Sequence, residues 1–354
     1  MPKATFRQTA FMYCIGTACF AVFLLPGAVS RYAGKVAVVI PLLSIVFTAG
    51  IAYVLFRAVA QFGSLRRLVC ARLGEGAARA GAVLLWLWLS AIAVFYLCAF
   101  YERLSSTAFG YLPRFVCISA AALCAALFTL APPRAAGRSA AIIFILMLIC
   151  LALLLLFCAE GVSLKRLLPV KAESFTGVLC AFLFPVGSTG LLCFLLYDFE
   201  GKNGSLRAYE ACAVGSNVFM SAVLLMVQSV FGTALSEKLS YPFFALIRST
   251  DSLVKLEHFE SLISGVWIVM SLGFFVLLVR VLTAAFCGSL PQRGFVKRAK
   301  PLLSLLPIAA VLLFALFLPV NRYGSEWVLG TLMPAGNLLL GVVPVCILTL
   351  TNRR

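Results

Sequence analysis

Apolar residues in this chain fall in ten long blocks separated by short polar connections. The blocks run roughly over 9–30, 36–56, 80–101, 114–131, 139–159, 176–197, 208–232, 261–285, 302–320 and 327–350. A helix needs about 20 mostly apolar residues to cross a bilayer core, so each block predicts one membrane-spanning helix. Two blocks, the first and the sixth, are interrupted by residues that break helices. The first reads Cys14-Ile15-Gly16-Thr17-Ala18-Cys19 and then Pro26-Gly27; the sixth reads Phe184-Pro185-Val186-Gly187-Ser188-Thr189-Gly190. In hydrocarbon, backbone groups freed by a break are tolerated only where they face protein, water or a ligand. Ten spans divide into five plus five, and an odd number per half turns the second half upside down. Matched breaks at equivalent places then point to a substrate site near the midplane of an inverted repeat. The expected architecture is an all-α integral membrane protein. It forms one membrane domain over 1–354, with a first five-helix repeat over 1–160 and a second over 161–354.

Composition sharpens this picture. The chain is 63% hydrophobic and 12% charged, a balance that excludes a soluble domain. The net charge of +17 would suggest nucleic acid in a soluble protein. Here the excess of Lys and Arg in cytoplasmic connections is the simpler account. With the N-terminus in the cytoplasm, 17 Lys and Arg fall inside and 11 outside, and Arg280 lies within the eighth block. Both termini are therefore expected in the cytoplasm. The first block is longer than a signal-peptide core and holds Gly16, Thr17 and Pro26, so it reads as a retained span. Thirteen cysteines form no CxxC pair and no cluster with histidine. They read as small hydrophobes, and neither a metal nor a cofactor is expected.

The connections carry two further signals. Arg57–Arg79 holds five Arg and one Glu, and Leu65–Leu73 within it reads as a short surface helix. Arg66, Arg67 and Arg72 would then face lipid phosphates, and Pro291–Lys300 is similarly basic. The segment 239–260 has an apolar half too short to span, which suggests a re-entrant or interfacial helix roofing a cavity.

Candidate chemistry is sparse. Gly16, Thr17 and Ala18 in the first block and Gly187, Ser188 and Thr189 in the sixth are small residues that let backbone approach a ligand. Helix N-termini offer N–H groups to a carboxylate, and C-termini offer carbonyls to an ammonium. A zwitterionic amino acid presents both charges. The rival reading is close helix packing through small residues. Tyr96 and Tyr101 are candidates to face a central cavity, although Tyr and Trp also mark membrane interfaces. Trp86, Trp88, Trp267 and Trp327 are expected there, near span ends. Asn217, Asn337 and Thr283 read as polar glue between helices. Glu102, Arg103 and Asp198 lie at span ends, and Arg280 can snorkel to the interface. The spans hold no obvious proton carrier, which counts against proton-coupled transport. A sodium site built from carbonyls and hydroxyls near Gly16 and Ser271 stays open. His258, the single histidine, reads as solvated. No catalytic set is recognisable, so an enzyme is not expected.

The block Tyr241-Pro242, Arg248-Ser249, Glu257, Glu260 and Trp267 resembles the hallmark region of the spore germination permease family. Gln8, Ile15-Gly16-Thr17, Leu25-Pro26, Ala33-Gly34 and Leu168-Pro169-Val170 agree with that resemblance. These proteins are the B subunits of nutrient germinant receptors, within the amino acid–polyamine–organocation transporter superfamily. The resemblance implies a LeuT-like fold with discontinuous helices one and six. It also implies an A-type subunit and a lipoprotein C-type subunit as partners in the inner spore membrane or cell membrane. The B subunit would sense a small germinant, commonly an amino acid; the alternative is a secondary amino acid transporter. Two positions depart from the family. Lys35, Val36 and Ala37 stand where many members have an acidic residue and a Trp. Phe274 stands where many have a Lys seven residues after the hallmark Trp, which speaks against ion-coupled transport.

Overall fold

The computed structural model describes residues 6–23, 25–107, 111–131, 133–158, 161–168, 174–198, 205–239, 241–254, 259–290, 302–318, 324 and 327–351. Among them every regular element is helical. In chain order these are α1 (Phe6–Phe23), α2 (Leu25–Ala33), α3 (Ile40–Leu43), α4 (Ile45–Phe62), α5 (Leu65–Thr107), α6 (Arg114–Leu130) and α7 (Pro133–Cys158). There follow α8 (Phe175–Asp198), α9 (Leu206–Phe231), α10 (Thr233–Ser236), α11 (Pro242–Val254), α12 (Phe259–Ser289), α13 (Leu306–Phe317) and α14 (Val328–Leu350). Seven of them, α4, α5, α7, α8, α9, α12 and α14, are long and apolar enough to cross a membrane. The bent pair α1–α2 makes an eighth candidate. α6 and α13 are shorter apolar helices of 17 and 12 residues and coincide with the fourth and ninth blocks.

The two expected breaks come out differently. Gly16, Thr17 and Ala18 lie inside the continuous helix α1. The chain instead bends by 59° between Val22 and Leu25. Pro26 explains the position. Its ring would clash with the carbonyl of Val22, four residues back, and it offers no N–H to continue the ladder. A glycine such as Gly16 costs only about 1 kcal/mol in a helix. The break expected over Phe184–Gly190 is absent, because α8 runs unbroken with Pro185 inside it. The hydroxyls of Ser188 and Thr189 donate to the carbonyls of Pro185 and Val186. Neighbouring helices let a transmembrane helix keep a proline, and α8 packs along α14. The matched pair of breaks is therefore corrected to one break, between Val22 and Leu25.

Leu65–Leu73 is helical as expected and ends at Gly74, whose φ of 83° only glycine adopts easily. Arg66 does not face lipid alone, since its guanidinium donates to the carbonyl of Gly288 at 3.0 Å, near the end of α12. Pro291–Lys300, Glu257 and His258 lie outside the described residues, as do Pro169 and Val170.

Packing follows a set of pairs. α5 lies along α12, and α4 along α9. α1 packs on α7, and α8 on α14. α6 packs on α12, and α13 on α5. α1 also meets α9, α12 and α8, and α4 meets α8. Buried polar residues tie several of these pairs. Asn217 on α9 donates to Thr48 Oγ1 at 2.8 Å and accepts from Ser44 Oγ at 3.0 Å. Asn337 on α14 accepts from Trp88 Nε1 on α5 at 3.0 Å. These two asparagines are interhelical glue. Arg114, at the start of α6, donates to the carbonyls of Ala315 and Leu318 at 2.7 and 2.9 Å. It satisfies the end of α13, where carbonyls have no helical partner.

Candidate functional site

α1, α5, α8 and α12 meet at the centre of the bundle. A cavity of about 20 Å³ lies between them, lined by Met12, Tyr13, Gly16, Leu191, Phe274 and their neighbours. A water needs about 10–15 Å³ of such space, so this cavity is about water-sized and cannot hold an amino acid. Phe274 sets its size. A Cβ built on Gly16 would lie 3.0 Å from Phe274 Cε2 and 3.5 Å from Leu191 Cδ1. The Phe274 ring packs edge-on against Phe20 and Tyr96, with centroids 4.8 and 5.0 Å apart.

The other sequence candidates surround this point. Tyr96 is fully buried, and its hydroxyl donates to the Ser271 carbonyl at 3.2 Å. The same hydroxyl lies 2.8 Å from Cys19 Sγ, which also reaches Ser271 Oγ at 3.6 Å. Thr17 is buried, with its hydroxyl donating to the carbonyls of Tyr13 and Cys14, and Ala18 is buried beside it. The Tyr13 hydroxyl pairs with Ser216 of α9 at 3.3 Å, and Ser188 is buried, with its hydroxyl donating to the Pro185 carbonyl. Gly187 faces away from α1. A Cβ there would lie 2.5 Å from both Cα and the carbonyl oxygen of Pro334 on α14. Gly190 is as tight against Asn337. Of the seven candidates, Gly16 alone lines the cavity; α8 contributes Leu191, Phe194 and Leu195 to the wall instead.

α11 covers one end of this centre. Phe243, Phe244, Leu246 and Ile247 are all buried, and Phe243 packs edge-on against Trp267 at 5.1 Å. The short apolar helix expected in 239–260 is present. Trp267, on α12, is fully buried against it, so the expectation that it marks an interface is corrected.

Arg103 was placed at a span end by the sequence. The structure buries it almost completely. Its guanidinium stacks over Phe100 at 5.4 Å and over Phe244 of α11 at 4.9 Å. Cation–π contacts gain strength when desolvated. The signal was available, because Arg103 follows Tyr96 by seven residues and so shares its helix face. None of the thirteen cysteines forms a disulfide. Among the described residues no three His, Cys, Asp or Glu side chains converge to hold a metal.

A broken first span, a buried Gly16–Thr17 and the Tyr241–Trp267 roof are now in place. Over residues 3–322 the sequence matches the family of spore germination proteins named Spore_permease. The chain belongs to that family. The matched stretch includes the roof and every candidate site residue; α14 lies beyond it. Against individually curated proteins the chain has no match. Membership places it in a family of membrane, permease-like germination proteins and not in an enzyme family.

Proposed function

We propose that this chain is the B-type subunit of a nutrient germinant receptor. Membership of the spore germination family over residues 3–322 carries the reading. The ligand is a small nutrient, an amino acid, held where Gly16, Thr17 and Ala18 of α1 approach Ser188 and Thr189 of α8, with Gly187 behind them and Tyr96 alongside. Both termini lie in the cytoplasm, and A-type and lipoprotein C-type subunits read the change.

The helix pairing supports a five-plus-five arrangement over 1–160 and 161–354. Number the helices by the ten apolar blocks: one is α1–α2, five is α7, six is α8 and ten is α14. Exchanging each block with the one five places on turns the α1–α7 pair into α8–α14, and α6–α12 into α13–α5. It also turns α1–α9 into α8–α4, and leaves α5–α12 and α4–α9 unchanged.

The cavity as it stands is closed by Phe274. Nutrient binding therefore selects a conformation in which Phe274 and α1 have parted, and its differential affinity for that state shifts the equilibrium. Phe274 stands where the resemblance implies a lysine in many members and adds no charge, so the ligand's carboxylate and ammonium meet backbone and hydroxyls.

Gly16→Leu is the test, because the longer side chain occupies the site from the α1 side. Loss of nutrient-triggered germination with normal membrane levels is expected. Unchanged binding and germination would overturn the placement. Accumulation of labelled amino acid by the chain alone in liposomes would reassign it to transport.

A further inference from the structure

A second cavity lies off the central axis, between α1, α6, α7 and α12. Its volume is about 120 Å³, against about 20 Å³ for the central one. Ile15, Phe128, Ala140, Ile143 and Gly273 line it, and Ser139 is among its few polar residues. Apolar cavities of about this size stay dry and accept hydrocarbon. Two lining residues, Phe128 and Val269, are 38% and 50% exposed, so the cavity is a crevice in the surface that the bundle turns to its surroundings. In a membrane those surroundings are acyl chains.

One end of the crevice is positively charged. Arg280, a turn beyond the lining residues Val276 and Leu277, donates from Nη1 to the carbonyl of Phe128 at 2.9 Å. Arg138 is exposed and precedes Ser139 on α7. Both arginines lie at the end of the crevice that faces the cytoplasm in the proposed orientation. An arginine within a span is costly and marks a function or an interface. Here two of them stand by the same apolar slot, Arg280 bonded to its lining residue Phe128 and Arg138 next to its lining residue Ser139. Among the described residues the crevice is lined by no carboxylate.

We propose that this crevice is a binding site for an anionic phospholipid of the cytoplasmic leaflet. One acyl chain fills the slot between α1, α6, α7 and α12, and the phosphate sits between Arg138 and Arg280. The slot touches Ile15, the neighbour of Gly16, so the lipid packs against the outer face of the same turn of α1 whose inner face meets Phe274. The proposal is independent of the nutrient reading, because it concerns a different face of α1.

Native mass spectrometry of the purified chain, titrated with dioleoylphosphatidylglycerol and with dioleoylphosphatidylcholine, tests it. The wild type should retain one phosphatidylglycerol in preference to phosphatidylcholine. Arg138→Gln and Arg280→Gln should each cut that preference about fivefold, the effect of the ~1 kcal/mol that a basic residue contributes near an anionic surface. Arg280→Lys should keep most of it. Gly273→Leu should weaken retention of both lipids; its Cβ meets only Ile143 Cδ1 at 3.4 Å, so the fold can accept it. Ala140→Leu fills the slot from the other wall and should act alike. Equal retention of the two lipids by the wild type, or full retention by both filled variants, would overturn the site. A benzophenone side chain in place of Phe128 should crosslink lipid in native membranes. Crosslinking to a partner subunit's helix instead would overturn it as well.

Discussion

Gly16 on α1 and Gly187 on α8 both sit in mid-helix among small residues, and what faces them is different in kind. Gly16 looks onto the edge of the Phe274 ring, which can rotate or withdraw. Gly187 looks onto the backbone of Pro334, and Gly190 onto Asn337 one turn later. Backbone in a packed helix has nowhere to go. α8 is clamped to α14, with Asn337 held in turn by Trp88 of α5. α1 ends in a bend to α2 and meets the centre through a side chain, Phe274. The two small-residue stretches look alike in sequence, yet one is a fixed helix–helix seam and the other a contact that can open. If the centre opens, α1 is the helix that moves.

Substitutions break or sharpen this contrast. The largest effect is expected from Gly187→Ala. The added methyl would lie 2.5 Å from two backbone atoms of Pro334, so α8 and α14 must separate. Overpacking costs about 1–3 kcal/mol, and a clash with backbone belongs at the top of that range. Thermal melting in detergent should fall by several degrees; an unchanged melt would mean that the seam is soft. Pro185→Ala should act in the opposite sense. It restores an N–H donor to the carbonyl of Ala181 in a helix that is already continuous. A gain of about 1 kcal/mol is expected, a fraction of the ~3 kcal/mol that proline costs in a helix interior. A lower melt would show that the proline is needed for the shape of α8. The smallest stability effect should come from Gly16→Ala, under about 0.5 kcal/mol, since a Phe274 shift of a few tenths of an ångström accommodates the methyl and alanine favours the helix. Its germination response should nonetheless weaken, because the contact lies at the centre. Equal melting losses for Gly16→Ala and Gly187→Ala would erase the distinction between the two helices.

The ten apolar blocks were legible because burial in lipid demands unbroken apolar length, and each of them carries an apolar helix. The roof over 241–254 was legible for a related reason, since a short apolar stretch cannot span and must lie against something. The polar glue was readable at Asn217 and Asn337, because an amide in a span must find a partner. Proline and glycine were less informative. Pro26 bent its helix and Pro185 did not, although both lack an N–H, so a proline in the sequence does not by itself decide where a span breaks. Arg103 does stand near the end of α5, and its spacing from Tyr96 marks its helix face, but its burial depends on α11 folding back over α5. Nothing within thirty residues of Arg103 reports that contact.

By itself the sequence determined the solvent of this protein, where its apolar helices lie and the family to which it belongs. Those follow from composition, block length and local motif, which are properties of neighbouring residues. The tertiary structure decided which side of each helix is buried against what. It closed the centre with Phe274, turned Gly187 toward α14 rather than α1, buried Arg103 beneath the roof and left an arginine-ended slot between α6, α7 and α12. Each of these depends on residues tens to hundreds of positions apart. Their meeting is fixed by packing, and periodicity along one helix carries no record of its partner.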